Sequence, residues 1–421
     1  MRRAALSLFV LLLAANAQAA IVHVVVDGII HPISAELVGR AIDEGAKTNA
    51  DLVLLELRTP GGLEDSMRDI VQKMLKSRVP VAVFVSPGGS RAASAGFFIL
   101  EAADIAAMAP GTNTGAAHPV LYGGEKMDDV MKAKIENDAA ALMRSVAAKR
   151  GRNVAVAESA VRESKSFTDQ EALSQKLIDV VAADIPSLMS SIDGRNITRF
   201  DGTHLVLHTK GRQLVDFNMT LKQRLLGTIL NPNVAFILLV IGALAIFAEF
   251  NHPGAVVPGV TGLICILLAA FALDILPTRF AALILLFVAF ALFALEAKFA
   301  SHGVLGIGGV ICMVLGGVLL IDSPIPEMRV NLPTALAASV PIGFIAVFLM
   351  TLVLRARHTR VVTGQEGMVG EVGIARTALE PEGKVFVHGE LWNAVAKAPV
   401  PEGANVRVIA VDGLQVKVEP V

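Results

Sequence analysis

Between residues 233 and 355 the chain passes through five apolar segments, about Val234 to Phe250, Val256 to Leu273, Phe280 to Ala297, Val304 to Ile321 and Thr334 to Leu354. Each is close to the roughly 20 residues that an α-helix needs to cross a bilayer. This region is expected to be a polytopic helical membrane domain. At 54% hydrophobic residues and a mean hydropathy of +0.61, the chain of 421 residues is too apolar for a soluble protein and too charged for a wholly embedded one, so it is expected to be part soluble and part membrane. A net charge of -1 leaves no surplus of cations to neutralise phosphates, which argues against nucleic-acid binding. Cys265 and Cys312 both lie in apolar runs and read as packing residues, so no metal, and no other cofactor, is expected.

Residues 1–19 have the pattern of a secretory signal peptide: Arg2 and Arg3, an apolar run from Ala4 to Ala15, then Ala17-Gln18-Ala19 as a small-residue cleavage site. The chain from residue 20 onward is then expected to start outside the cytoplasm. An odd number of spans starting outside ends inside, and Arg355, Arg357 and Arg360 after the last span favour the cytoplasmic side as well. The expectation is a multi-pass protein of the plasma (inner) membrane, with its first soluble domain periplasmic or extracellular and its last one cytoplasmic. Glu249 to Gly259 and Glu296 to Gly308 echo one another, each with a glutamate, a turn containing His252 or His302, and glycines. Both glutamates fall at the ends of spans, so they read as helix-end residues rather than as a proton path.

Residues 20–191 alternate short β-branched runs with helical ones: Ile21 to Val26, Ser34 to Ala46, Leu52 to Leu57, Leu63 to Leu75, Val81 to Val85 and Ile105 to Ala109. That alternation predicts an α/β domain with a mainly parallel sheet, whose ligand sites lie in loops at the carboxyl ends of strands. Helices are expected at about Met127 to Arg150 and Thr168 to Gln175, the second opened by a capping box of Thr168 and Glu171. Residues 192–232 read as a β excursion, with Asn196 to Phe200 and His204 to His208 forming a hairpin, followed by an amphipathic helix from Leu214 to Leu230 on the membrane surface. Residues 361–421 carry Gly-rich turns between short runs such as Lys384 to His388, Val406 to Val411 and Gln415 to Glu419. A small all-β, OB-like barrel fits that spacing, with Trp392 as a core or barrel-face anchor.

The chemistry centres on Arg91-Ala92-Ala93-Ser94-Ala95-Gly96, where a serine among small residues sits at a strand-to-helix transition. Ser94 is either a plain N-cap or an exposed nucleophile. The amide of Ala95 and that of Gly62 or Gly61 would form an oxyanion hole, because the loops after the Leu52 and Val81 strands are neighbours in a parallel sheet. Two bases compete. His118 would give a Ser-His pair; Lys134 would give a Ser-Lys dyad if burial lowers its pKa from about 10.4 towards 7 or 8.

Thr59-Pro60-Gly61-Gly62, Gly89 to Gly96, and Met108 to Ala116 together resemble the membrane-bound Clp-class serine proteases that carry a C-terminal NfeD domain. The resemblance covers nearly the whole chain. It implies a Clp/crotonase-like protease fold, a homo-oligomer, and cleavage of hydrophobic segments in a stomatin-like membrane partner. It also implies that the serine works with a lysine in a K-I-x-N context, which Lys134-Ile135-Glu136-Asn137 matches. Soluble relatives use a histidine near His118 with an aspartate whose position Ser164 occupies here, so Lys134 is the favoured base and His118 a substrate-side residue. A membrane scaffold that only clusters its partner is the rival reading. Acyl-CoA chemistry is a third, disfavoured by the signal peptide.

Overall fold

The computed structural model describes residues 20–120, 128–299, 301, 303–323, 325–358 and 365–421. The stretch 1–19 expected to be a signal peptide, His302 and Arg360 lie outside the described residues. In chain order the soluble N-terminal part contains β1 (Ile21–Asp27), α1 (Pro32–Thr48), β2 (Leu52–Arg58), α2 (Glu64–Leu75), β3 (Val81–Val85), β4 (Arg91–Ala93), α3 (Ala95–Ala102), β5 (Ile105–Met108), β6 (Asn113–Gly115), α4 (Asp129–Lys149), α5 (Val154–Arg162), β7 (Ser166–Thr168), α6 (Asp169–Ser174), β8 (Val180–Val181), α7 (Ile185–Ile192), β9 (Asn196–Thr198), β10 (His204–Val206) and β11 (Leu214–Asp216).

The main sheet has the order β11-β1-β2-β3-β5-β8, and every pairing in it is parallel. Its central strands are apolar at nearly every position because both faces are covered. Val53, Leu55, Val83 and Val85 face α1, α2 and α3, while Leu52, Leu54, Ala82 and Phe84 face the side closed by Leu188, Met189 and Ile192 of α7. From β1 to β8 the strands stack in sequence order, so no reversal opens a crevice. A second, three-stranded sheet of β4, β6 and β7 stands beside the first, joined to it by a bridge between Thr59 and Ala92. These three-residue strands and α5 carry too little periodicity to be read from sequence.

Residues past 191 differ from expectation in one respect. The β9–β10 hairpin forms as expected, but Leu214–Asp216 is a strand that pairs with the outer edge of β1, and the next helix, α8 (Leu221–Ile229), is only nine residues long. The apolar spacing from Leu214 onward is compatible with either period, and an open edge strand on β1 decides it. Gln223 of α8 is buried and accepts from Arg40 of α1 at 2.8 Å, so this helix packs on the α/β domain.

Behind α3 lies a buried ionic cluster. Asp104 receives Arg150 at 2.6 Å and Arg199 at 3.4 Å, and Asp179 receives Arg152 at 3.2 Å. Glu101 is fully buried with neither carboxyl oxygen hydrogen-bonded. Burial pushes its carboxyl up to about 8, with the Arg152 charge opposing and Asp179 adding. Between pH 4.5 and 8 the folded chain thus holds a proton that the unfolded chain has released, and stability from this group falls as pH rises through that window. Glu101→Gln is expected to remove the decline: thermal unfolding should show the variant gaining on its parent at about pH 8.5 relative to about pH 5. A difference in Tm that is the same at both pH values would contradict this.

The membrane part consists of α9 (Pro232–Asn251), α10 (Val257–Ile275), α11 (Phe280–Lys298), α12 (Val304–Leu319) and α13 (Leu332–His358), five helices that match the five apolar segments. Among the described residues three stretches, Pro232–Asn251, Val257–Ile275 and Pro326–Ile345, are long and apolar enough to cross a membrane; the apolar parts of α11 and α12 are shorter. The two echoing turns share one device. Glu249 accepts from the N–H groups of Gly254, Val256 and Gly259 at 3.1, 3.2 and 3.3 Å. Glu296 accepts from Gly303 and Gly306 at 3.0 and 2.9 Å and from the Ser301 hydroxyl. In each case a carboxylate at the end of one helix satisfies the free amides that open the next.

The C-terminal part is a closed five-stranded barrel of order β12-β13-β14-β16-β15, built from Val372–Ala375, Glu382–Val387, Glu390–Ala396, Gln415–Pro420 and Asn405–Asp412. Val385, Val387, Ala394, Val406, Val408, Val416 and Val418 fill it, and Trp392 packs partly buried against that core.

Candidate active site

β4 delivers Ser94 to the start of α3 under close control. Thr59 N–H donates to the Arg91 carbonyl at 2.7 Å, Ala93 N–H to the Thr59 carbonyl at 3.1 Å, and Ser94 N–H to the Gly115 carbonyl at 2.9 Å. The Thr114 hydroxyl donates to the Ala92 carbonyl at 2.7 Å. Held from both sides, the chain turns sharply at Ser94, which has φ 53° and ψ −115° and makes no side-chain cap bond. A non-glycine residue with positive φ is uncommon and costs on the order of 1–3 kcal/mol. As a mere N-cap, Ser94 would be extended and would accept from α3. It does neither, and its hydroxyl remains available.

The loop after β2 supplies the facing wall. Gly61, at φ 125°, packs against the serine: a methyl group there would lie 2.8 Å from Ser94 Cβ and 3.2 Å from Oγ. Its N–H donates to the Thr59 hydroxyl at 3.0 Å, which takes Gly61 out of the set of free amides. Gly62 is held by flanking bonds, Ile30 N–H to the Gly61 carbonyl at 2.9 Å and Leu63 N–H to the Ile30 carbonyl at 2.8 Å. Among the described residues, the amides of Gly62 and Ala95 have no acceptor. Both residues line one cavity with Ser94, of about 100 Å³, whose walls include Met67, Phe98, Pro119, Val120, Ile135 and Ala139. Apart from the amides, the serine and Glu64, the lining is apolar. A larger polar cleft of about 830 Å³ lies beside Thr59 and Arg91 but does not include Ser94.

The two candidate bases are placed differently. His118 follows Ala117 and precedes Pro119 in a segment outside the helices and strands; its neighbours line the cavity, while its own Nδ1 meets the Val161 carbonyl at 2.9 Å. Ser164 is exposed, and Asp169, the nearest aspartate after it, is used by the Gly111 amide at 3.1 Å. Among the described residues no carboxylate therefore orients His118. Lys134 lies in the first half of α4, which stands off the domain: Ala139, Ala140 and Met143 enter the core, whereas Val130, Met131, Lys132 and Lys134 are exposed. That half is tethered at Asp138, which pairs with Arg68 of α2, and at Glu136 and Asn137, which receive Arg162 at 3.2 and 3.0 Å. Ile135 points into the cavity, and Lys134, next to it, is in solvent and outside the cavity lining. Sequence reading misses the apolar lining, for which only the helical spacing of Ile135 and Ala139, one turn apart, gives a signal.

Three family models match the chain: the NfeD1b N-terminal domain over residues 21–189, the NfeD integral membrane domain over 233–352, and the NfeD-like C-terminal, partner-binding domain over 365–420. The chain is 34% identical to the membrane-bound protease PH1510 of Pyrococcus horikoshii, over 98% of this chain and 97% of that one. It is 27% identical to the membrane protein NfeD1b of Bacillus subtilis, over 92% and 90%. Among solved structures, a lysine-to-alanine variant of the 1510-N membrane-bound stomatin-specific protease with a substrate peptide matches at 31% identity and a TM-score of 0.47, covering 50% of this chain and 96% of that one. With its N-terminal, integral membrane and C-terminal partner-binding domains all present in order, this multi-pass membrane protein belongs to the NfeD family.

Proposed function

We propose that the chain is a membrane-anchored serine endopeptidase of Clp-like type, with Ser94 as nucleophile, the Ala95 and Gly62 amides as oxyanion donors and Lys134 as the base. The observation that carries this reading is the strained backbone of Ser94 beside two free amides in an apolar cavity; the protease named among its relatives supports it. Ser94 Oγ attacks the scissile carbonyl carbon while its proton passes to Lys134 Nζ. The oxyanion takes up the two amides, the C–N bond breaks, and the proton goes to the leaving amine. Water then releases the acyl group by the same route. The apolar lining selects hydrophobic segments, and a stomatin-like membrane protein is the partner to which the C-terminal domain would bring the enzyme.

To act as a base Lys134 must lose its water, because burial disfavours a charged ammonium and leaves the neutral amine whose lone pair takes the proton. Substrate seated over Ile135, or a second copy of the chain against Val130 and Met131, would remove it. The exposed position of Lys134 is also what favours the rival, a scaffold that binds a partner without cleaving it. Lys134→Ala is expected to abolish cleavage of an apolar peptide by the full-length protein, and His118→Ala to leave most of it. The reverse ranking would move the base to His118.

A further inference from the structure

The eight-residue helix α3 has a free end that faces the chemistry and a closed end that does not. At the closed end Leu100, Glu101, Ala102 and Ala103 are all buried; the Leu100 carbonyl already receives the Ala103 N–H at 3.2 Å, and the other three carbonyls need donors from elsewhere. Two arginines supply them. Arg152 donates to the carbonyls of Leu100 at 3.1 Å, Glu101, and Ala103 at 3.0 Å, and Arg150 Nε donates to that of Ala102 at 2.9 Å. Their side chains are 4% and 2% exposed, and Asp104 and Asp179 balance their charge. Arg150 is the C-cap of α4, just past Lys149, and Arg152 lies two positions beyond it.

One bracket therefore fastens the helix that opens at Ser94 to the helix that carries Lys134, Ile135 and Ala139. A rod of eight residues spans only about 12 Å, so a tilt at its closed end moves the Ala95 amide. We infer that Arg150 and Arg152 are positioning residues for peptide cleavage, setting α3 against α4 so that the amide cradle at Ser94 and the α4 wall of the cavity keep their separation. This rests on the reading of Ser94 as nucleophile. Both α3 and the α4–α5 connection end on the bracket, and Arg199, from the hairpin past residue 191, joins it through Asp104.

Arg152→Lys keeps the charge but cannot reach three carbonyls at once. In the full-length, detergent-solubilised protein it should lower kcat on an apolar peptide by about tenfold or more, the scale of losing alignment without losing a reacting group. KM should stay within about twofold, and labelling of Ser94 by a serine-directed phosphonate should slow in the same ratio as kcat. Leu188→Ala, a cavity on the far face of the sheet, serves as the control for lost stability alone: it should lower Tm with kcat preserved. Should Arg152→Lys fail to fold, Arg150→Lys, which retains a cation beside Asp104, is read in the same way. A folded variant whose Tm falls while kcat and labelling rate match the parent would overturn the inference. Absence of Ser94-dependent labelling in the parent would overturn the reading of Ser94 instead. The bracket would then be judged by amide exchange at Ala95 to Ala103, expected to quicken in Arg152→Lys and contradicted by unchanged protection.

Discussion

Ser94→Ala is expected to remove on the order of 10³-fold or more of the kcat for peptide cleavage, because it deletes the atom that forms the covalent intermediate. Its cost to the fold should be small. The serine makes no cap bond, its neighbours are held by backbone bonds that the substitution leaves in place, and alanine meets the same φ of 53° that serine does. Substrate affinity should also survive, since the apolar walls of the cavity belong to other residues. Steady-state kinetics with binding of an uncleaved peptide separate the two effects. A variant that cuts as fast as its parent would remove Ser94 from the chemistry.

Gly62→Ala should be nearly as damaging by a different route. A methyl group at Gly62 would lie 2.1 Å from the Ile30 carbonyl oxygen and 2.5 Å from its nitrogen, both backbone atoms that cannot rotate aside. The loop after β2 must then pull away from Ile30 and give up the two bonds that fix it. The cost is on the order of 3 kcal/mol of stability, from overpacking and lost hydrogen bonds. If the Gly62 amide serves the oxyanion, kcat should fall by about 10²-fold as well. Thermal unfolding and kinetics on the folded fraction check both parts. Parent-like stability would show that the loop has more freedom than the packing against Ile30 implies.

How much of the molecule is legible from residues alone depends on the strength of the period. Strands β1, β2, β3 and β5 are legible because each buries a run of apolar side chains, and the five membrane helices because each is a long, nearly uninterrupted apolar run. The barrel is legible through its glycine-punctuated turns. The site is legible only as a set of backbone features: glycines at 61 and 62, and a serine between alanines. The short strands β4 and β6, which make Ser94 turn, are held by a pair of bonds between β4 and Thr59 and by pairing with each other, and the Ser94 N–H closes on the Gly115 carbonyl; no local pattern announces these contacts. Arg150 and Arg152 are hidden for the same reason, since a charged residue after a helix usually points to water. The placement of Lys134 depends on how far α4 extends beyond its buried half. A K-I-x-N string cannot show that Ile135 faces the cavity while its neighbour faces solvent.

The central claim, that the strained serine at the head of α3 is a working nucleophile, is tested most directly by covalent capture. The full-length protein in detergent or lipid is treated with a serine-directed phosphonate, and the adduct is located by peptide mass spectrometry alongside the Ser94→Ala form. A single adduct on Ser94, absent from the alanine form, is the expected result. An unlabelled parent, or equal labelling of both forms, would contradict it.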